Sequence, residues 1–177
     1  MLTFQDPCGL FLLFLQGPCV LFDFENGLSG WNITGTAFNN QPTYGDNPHA
    51  RRSMWYSLHK GNWWIGTYES RPSPSHPAGG RQGDGPQGTL TSPSFVINRN
   101  TFKFLIGGSC HENQIRAELL VEGTVVLQAT GRCLEMMYEE TWNVTSYENK
   151  EAQLRLVDGY SGGWGHINFD QFEEICD

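Results

Sequence analysis

Charge is scarce in this chain, and positive charge scarcer still. Asp, Glu, Lys and Arg make up 17% of the 177 residues, with 11 Lys and Arg against 19 Asp and Glu. Globular chains carry about a quarter. Nucleic acid is excluded as a partner on this ground, because neutralising phosphates takes clustered cations. Arg51-Arg52 is the one basic pair and is expected in a solvated loop. A net charge of −8 also disfavours anionic membrane surfaces, while it suits a divalent cation. No apolar run is long enough to cross a bilayer. The longest, Gly9 to Phe22, is interrupted by Gln16, Gly17 and Pro18.

That apolar stretch has the length of a secretory h-region, although the preceding MLTFQDP brings Asp6 and no Lys or Arg. Residues 1–18 therefore read as a signal peptide or a non-domain leader; the alternative is a start whose apolar part enters the core. Residues 19–177 read as one domain, localised outside the cell. No C-x-x-C occurs among the five cysteines at 8, 19, 110, 133 and 176, so zinc-ribbon and thioredoxin-like readings lack their spacing. With Cys8 removed in a leader, Cys110 with Cys133 would bridge adjacent strands and Cys19 with Cys176 would tie the chain ends. Two N-x-S/T sequons, at Asn32 and Asn143, agree with secretion and make the chain a candidate glycoprotein.

Helical signals are nearly absent too. Glu135 to Glu139 could form one helical turn, and nothing else asks for helix. Aromatics are abundant instead, at 13% with six Trp and eleven Phe, alongside 21 Gly and 9 Pro. Rings and turns in these numbers point to an all-β sandwich of about eight to ten strands. Leu21 to Phe24 reads as the first strand. Phe102, Phe104 and Ile106 alternate in the next clear one, and Ile115, Ala117, Leu119 and Val121 in another. Glu122-Gly123 separates the latter from Thr124 to Thr130 as a hairpin. Leu154 with Leu156, and Ile167 with Phe169 against Asn168 and Asp170, complete a set of strands with one face wet. Glu69 to Gly88 holds four Pro and five Gly, and reads as a flexible surface loop.

Catalytic motifs are thin. Gly159-Tyr160-Ser161-Gly162-Gly163 matches G-x-S-x-G, but that motif works only as strand, sharp turn and helix. Here the following residues read as another strand, so hydrolysis through Ser161 is the least favoured alternative. No spacing selects a carboxylate pair from Asp23, Glu25, Asp158 and Asp170 for glycoside hydrolysis. The five His lack zinc-ligand spacing. His166 could contact a ligand at a loop end, with a structural hydrogen bond the stronger reading. Of the adjacent Trp63 and Trp64, opposite strand faces place one toward the core and leave the other exposed or under a loop. An exposed ring near loop ends is a platform for sugars, set against burial of both rings under the long loop.

Six blocks occur in order: FDFENGLSGWNITGTAF (22–38), GNWWIGTYES (61–70), QGTLTSPSFVI (87–97), FLIGGSC (104–110), ATGRC (129–133) and LVDGYSGGWGHINFDQF (156–172). Together they resemble the galactose-binding-like β-sandwich modules attached to levanase- and fructosidase-type glycoside hydrolases and found in animal extracellular proteins. The resemblance implies an antiparallel jelly-roll-like sandwich, not itself an enzyme, with carbohydrate as the leading ligand. Trp64, Tyr68, Trp164 and His166 are the expected ligand contacts. It also implies a structural calcium between the first and last strands, with Glu25 and Asp170 as ligands. No organic cofactor is expected. The alternative is an adhesion or structural module that binds an extracellular protein.

Overall fold

The computed structural model describes residues 19–175, so the leader expected over 1–18 and Cys176 lie outside the described residues. Twelve strands run in chain order. They are β1 (Cys19–Phe22), β2 (Asn32–Gly35), β3 (Thr43–Tyr44), β4 (Trp63–Gly66), β5 (Gly88–Thr91), β6 (Phe95–Val96), β7 (Thr101–Gly108), β8 (Ile115–Val121), β9 (Thr124–Ala129), β10 (Leu134–Asn143), β11 (Glu151–Asp158) and β12 (Ile167–Ile175). They form two six-stranded antiparallel sheets. One has the order β10-β7-β12-β4-β3 with β1 beside β12; the other has β2-β5-β11-β8-β9 with β6 beside β11. This is the β-sandwich expected from the sequence. The count exceeds eight to ten because β3 and β6 are two-residue pieces.

Ring residues fill the space between the sheets. Phe102 and Phe172 lie 4.6 Å apart, Phe104 and Trp142 4.5 Å, and Phe22 and Trp31 4.8 Å, several of them edge to face. Phe38, Ile65, Leu90, Ile97, Leu119 and Leu154 are fully buried around them. Alternation along each strand puts these side chains on the inner face, so the pattern in the sequence and the core coincide. The β8–β9 hairpin turns at Glu122 and Gly123, both with positive φ (51° and 80°), as a two-residue turn requires. Cys110 and Cys133 form a disulfide joining the segment after β7 to the one before β10. Cys19 is also disulfide-bonded; the partner expected for it, Cys176, is outside the described residues.

Three expectations need correcting. The residues read as a helical turn, Glu135 to Glu139, lie in β10, hydrogen-bonded to β7. Only Asn47–Arg51 is α-helical among the described residues, capped by Asp46 with Pro48 in the first turn. The outer face of β12 is not wet: Asn168 and Asp170 are both fully buried, because the chain between residues 45 and 62 folds across that face. The loop at 69–88 is fastened rather than free-hanging. Ser70 N–H donates to the Gly80 carbonyl and Gly79 N–H to Asn47 Oδ1. Gln82 Nε2 donates to the carbonyls of Ala37 and Thr67. Glycine and proline made that segment look loose, whereas its scattered polar side chains pin it down.

Candidate functional site

Helix α1 (Asn47–Arg51) fixes the loop that follows it. Asp46 Oδ1 accepts from both the His49 and the Ser57 N–H, each at 3.2 Å. The Ser57 carbonyl in turn accepts from Met137 N–H of β10 at 2.9 Å. Loop 52–58 is thereby held along the open edge of β10. Its apolar side chains have nowhere inward to go, and Met54 is 85% exposed. Trp55 carries the Arg52 guanidinium 4.2 Å above its ring, and Tyr56 stacks on His49 at 4.4 Å. Both rings are thus braced, by Arg52 of the loop and His49 of α1, while 36% and 45% exposed.

β10 supplies the facing wall. It bulges between Leu134 and Tyr138, and Gly107 of β7 permits the close approach: a Cβ there would lie 2.9 Å from the Met136 carbonyl oxygen. The bulge leaves Leu134 and Met136 exposed and turns Glu135 inward. Trp164, held with φ of 61° in the β11–β12 loop, completes the enclosure. A cleft of about 290 Å³ results, lined by Met54, Trp55, Tyr56, Leu134, Glu135, Met136 and Trp164. A second hollow, about 200 Å³ near the β8–β9 turn, is lined by Leu120, Glu122, Glu151 and small or polar neighbours, with no ring in its walls.

Behind the cleft lies a buried polar network. His166 is 3% exposed; its Nδ1 is 2.7 Å from Asp84 Oδ1 and its Nε2 3.7 Å from Glu135 Oε2. Asn168 Nδ2 donates to the Glu135 carbonyl at 2.8 Å and to Oε2 at 3.4 Å. Burial opposes charge on His166, but the hydrogen bond to Asp84 and the nearby Glu135 carboxylate outweigh it and push its pKa up to about 9. Burial raises the Glu135 carboxyl, yet His166, Asn168 and Arg51 bring it below the ordinary value. Arg51 pairs through both terminal nitrogens with buried Glu69, tying α1 to the 69–88 flap. Burial pushes Asp158 up to about 7, against weaker pulls from Thr67, His166 and the Tyr160 backbone.

The expected ligand residues divide. Trp164 lines the cleft. Tyr68 is half-buried between Arg51, 5.0 Å from its ring, and His166, 5.2 Å away. His166 is a scaffold residue behind the wall, because its ring nitrogens face Asp84 and Glu135 rather than solvent. Trp64 is fully buried on the outer face of its sheet, with Nε1 donating to the Gly45 carbonyl and His59 stacked over it at 5.6 Å. No face of Trp64 is open to a sugar; Gly45 and His59 of the chain before β4 lie against it. Trp63 lies on the core side, so the opposite-face reading of the pair holds. Arg51 is not solvated either, being locked on Glu69.

Met54, Trp55, Tyr56, Leu134, Glu135 and Met136 were missed. The triplet Met54-Trp55-Tyr56 was the available signal: three large apolar residues too few for a strand, between a basic pair and a polar turn. Glu135 to Glu139 looked like a helical turn because two Met and two Glu are good helix formers; the tertiary pairing with β7 overrides that preference.

Glu25 and Asp170, expected as calcium ligands, each accept hydrogen bonds from backbone N–H groups. Glu25 Oε1 accepts from the N–H groups of Asn62 and Trp63 at 2.7 and 2.8 Å. Asp170 accepts from Lys60 N–H at 2.7 Å and Gln171 N–H at 2.8 Å. Burial pushes Asp170 up to about 7, those amides oppose it, and Glu25 and Asp23 add to the rise. Both carboxylates therefore anchor the chain just before β4. Among the described residues no group of three His, Cys, Asp or Glu is placed to hold a metal ion. Ser161 sits in the β11–β12 loop, and the next element is a strand, so the strand-turn-helix of a nucleophile elbow is not formed. Asn32 and Asn143 are both exposed.

No protein-family model matches the chain. "Putative glycosyl hydrolase ecdE" of Aspergillus rugulosus is 37% identical over 94 residues, which are 53% of this chain and 13% of that protein. The chain spans only that small share of the relative. Among solved structures, TmCBM61, a carbohydrate-binding module in complex with β-1,4-galactotriose, superposes with a TM-score of 0.50 at 15% identity. The match covers 85% of this chain and 91% of that one. The K3 adhesin domain of Lys-gingipain from Porphyromonas gingivalis gives 0.48 at 14% identity, over 91% and 100% of the two chains. At these identities the likeness is one of fold, a β-sandwich of the kind that carbohydrate-binding modules use. No helix among the described residues is long and apolar enough to cross a membrane.

Proposed function

We propose that this chain is a non-catalytic, extracellular binding module that takes carbohydrate in the cleft between loop 52–58 and β10. The observation that carries this reading is the group of three accessible rings, Trp55, Tyr56 and Trp164, around a single carboxylate. Sugars present C–H faces that pack on aromatic rings and hydroxyls that donate to carboxylates. Trp55 and Tyr56 are each braced by a neighbour, so little freedom is lost when a ligand docks. The sandwich fold shared with a galactotriose-binding module supports the ligand class. The Cys110–Cys133 disulfide and the two exposed sequons support an oxidising, secretory setting.

The test is a glycan array on the oxidised domain, followed by titration calorimetry with Trp55→Ala and Trp164→Ala. Each substitution is expected to weaken binding at least about tenfold, as for loss of an interface anchor, while leaving melting intact. Retained affinity in both would remove the cleft from consideration.

A second reading, docking of an extracellular protein, is favoured by the aliphatic and thioether content of the same surface: Met54, Leu58, Leu134 and Met136 are all exposed. A blank array from a folded sample would move the assignment to that reading.

A further inference from the structure

The cleft has one ionisable side chain in its lining, Glu135; the remainder are aromatic rings, methionines and a leucine. Glu135 is 8% exposed, and its partners Asn168 and His166 approach from β12, beneath the cleft. Of the cations nearby, His166 faces Glu135 and Asp84 from beneath the cleft, Arg51 is paired with Glu69, and Arg52 lies over the Trp55 ring. Apolar walls screen a charge poorly, so the carboxylate acts on a ligand at a low effective dielectric. A second anion in this space would sit beside it with no counter-charge in the lining, whereas a hydroxyl or ammonium group would meet an acceptor.

We infer that Glu135 sets the charge selectivity of the cleft, accepting hydrogen bonds from neutral or amine-bearing sugars and rejecting uronic, sialylated and sulfated ones. The ligand class in this inference rests on the carbohydrate reading; the charge selectivity of the cleft does not. The bland assignment for Glu135, a structural partner of His166 and Asn168, leaves ion selectivity at the cleft unaffected by its neutralisation.

Two measurements on the full chain separate these ideas. The first is collisional quenching of the cleft tryptophans by caesium and by iodide, isolated by subtracting the signal of a Trp55→Phe/Trp164→Phe double variant. Caesium is expected to quench more effectively than iodide. Glu135→Gln should lower that ratio about threefold or more, and Glu135→Asp, which keeps the charge, should preserve it. A ratio unchanged in Glu135→Gln, with the fold confirmed by melting, overturns the inference. The second is calorimetry with matched neutral, amino and uronic oligosaccharides. The uronic ligand should bind about tenfold or more weakly than the neutral one, and Glu135→Gln should close the gap. Equal binding of uronic and neutral sugars overturns the inference and leaves the carbohydrate reading standing. Absence of binding to all three with the caesium preference intact overturns the carbohydrate reading and leaves the selectivity standing.

Discussion

Raising pH from 5.5 to 9 should destabilise this domain steadily, a consequence of which groups it buries. Folded Asp158 holds its proton up to about pH 7, whereas its ordinary value is 3.8. Between those values the folded chain binds more protons than the unfolded chain, so stability falls as pH rises through this window. His166 acts in the same direction at higher pH. Its folded value is about 9 against an ordinary 6.5, so the stability from its contacts with Asp84 and Glu135 is complete below 6.5 and lost through 9. Glu135, held low, works the other way, but its effect is complete once pH passes its ordinary value of 4.5. At 1.36 kcal/mol per pKa unit, Asp158 and His166 each contribute on the order of 3 kcal/mol. For a domain of this size that is a fall in Tm of about 10 °C or more. Differential scanning fluorimetry from pH 5.5 to 9 measures it directly. Asp158→Asn mimics the protonated acid and does not ionise in the unfolded chain, so it should raise Tm more at pH 8.5 than at pH 5.5. A Tm that is flat or rising over the range, or an Asp158→Asn effect of the same size at both pH values, would refute the reasoning.

Trp64→Ala should cost about 3–5 kcal/mol, as for a buried aromatic, and reduce binding only by unfolding the domain, in contrast to Trp164→Ala. Chemical denaturation alongside calorimetry distinguishes the two. Gly66→Ala should also be strongly destabilising, because the added Cβ would lie 2.3 Å from the Trp64 ring; its denaturation midpoint reads this, and a wild-type midpoint would show that the ring can move away. Removal of the Cys110–Cys133 bridge, as the double Ser variant, should lower stability by about 3 kcal/mol for a loop closed by residues 23 apart. Millimolar calcium should leave Tm unchanged, since Glu25 and Asp170 already accept backbone N–H groups. A rise of several degrees would support calcium binding at these carboxylates. Expressed through a secretory pathway, the chain should carry N-glycans that Asn32→Gln and Asn143→Gln remove, read as a mobility shift after deglycosylation.

The sandwich and its main strands were legible because alternation is a local property that survives folding. Phe102, Phe104 and Ile106 announce their strand, and Glu122-Gly123 its turn, whatever lies around them. What the sequence could not supply was the outer surface of the sheet that contains β12. Asn168, Asp170 and Trp64 alternate with core residues and so read as wet, but loop 45–62 lies across them. Burial of that face depends on Asp46 and Ser57 fastening the loop to β10, and those contacts join residues eleven and eighty positions apart. The cleft has the same origin. Its rings come from a loop, a bulged edge strand and the β11–β12 connection, three segments that carry no common period. Only tertiary packing decides that Trp55, Tyr56 and Trp164 face solvent while Trp64 and His166 are enclosed. An aromatic residue's preference for burial is satisfied wherever the chain provides cover, and the cover is set by distant residues.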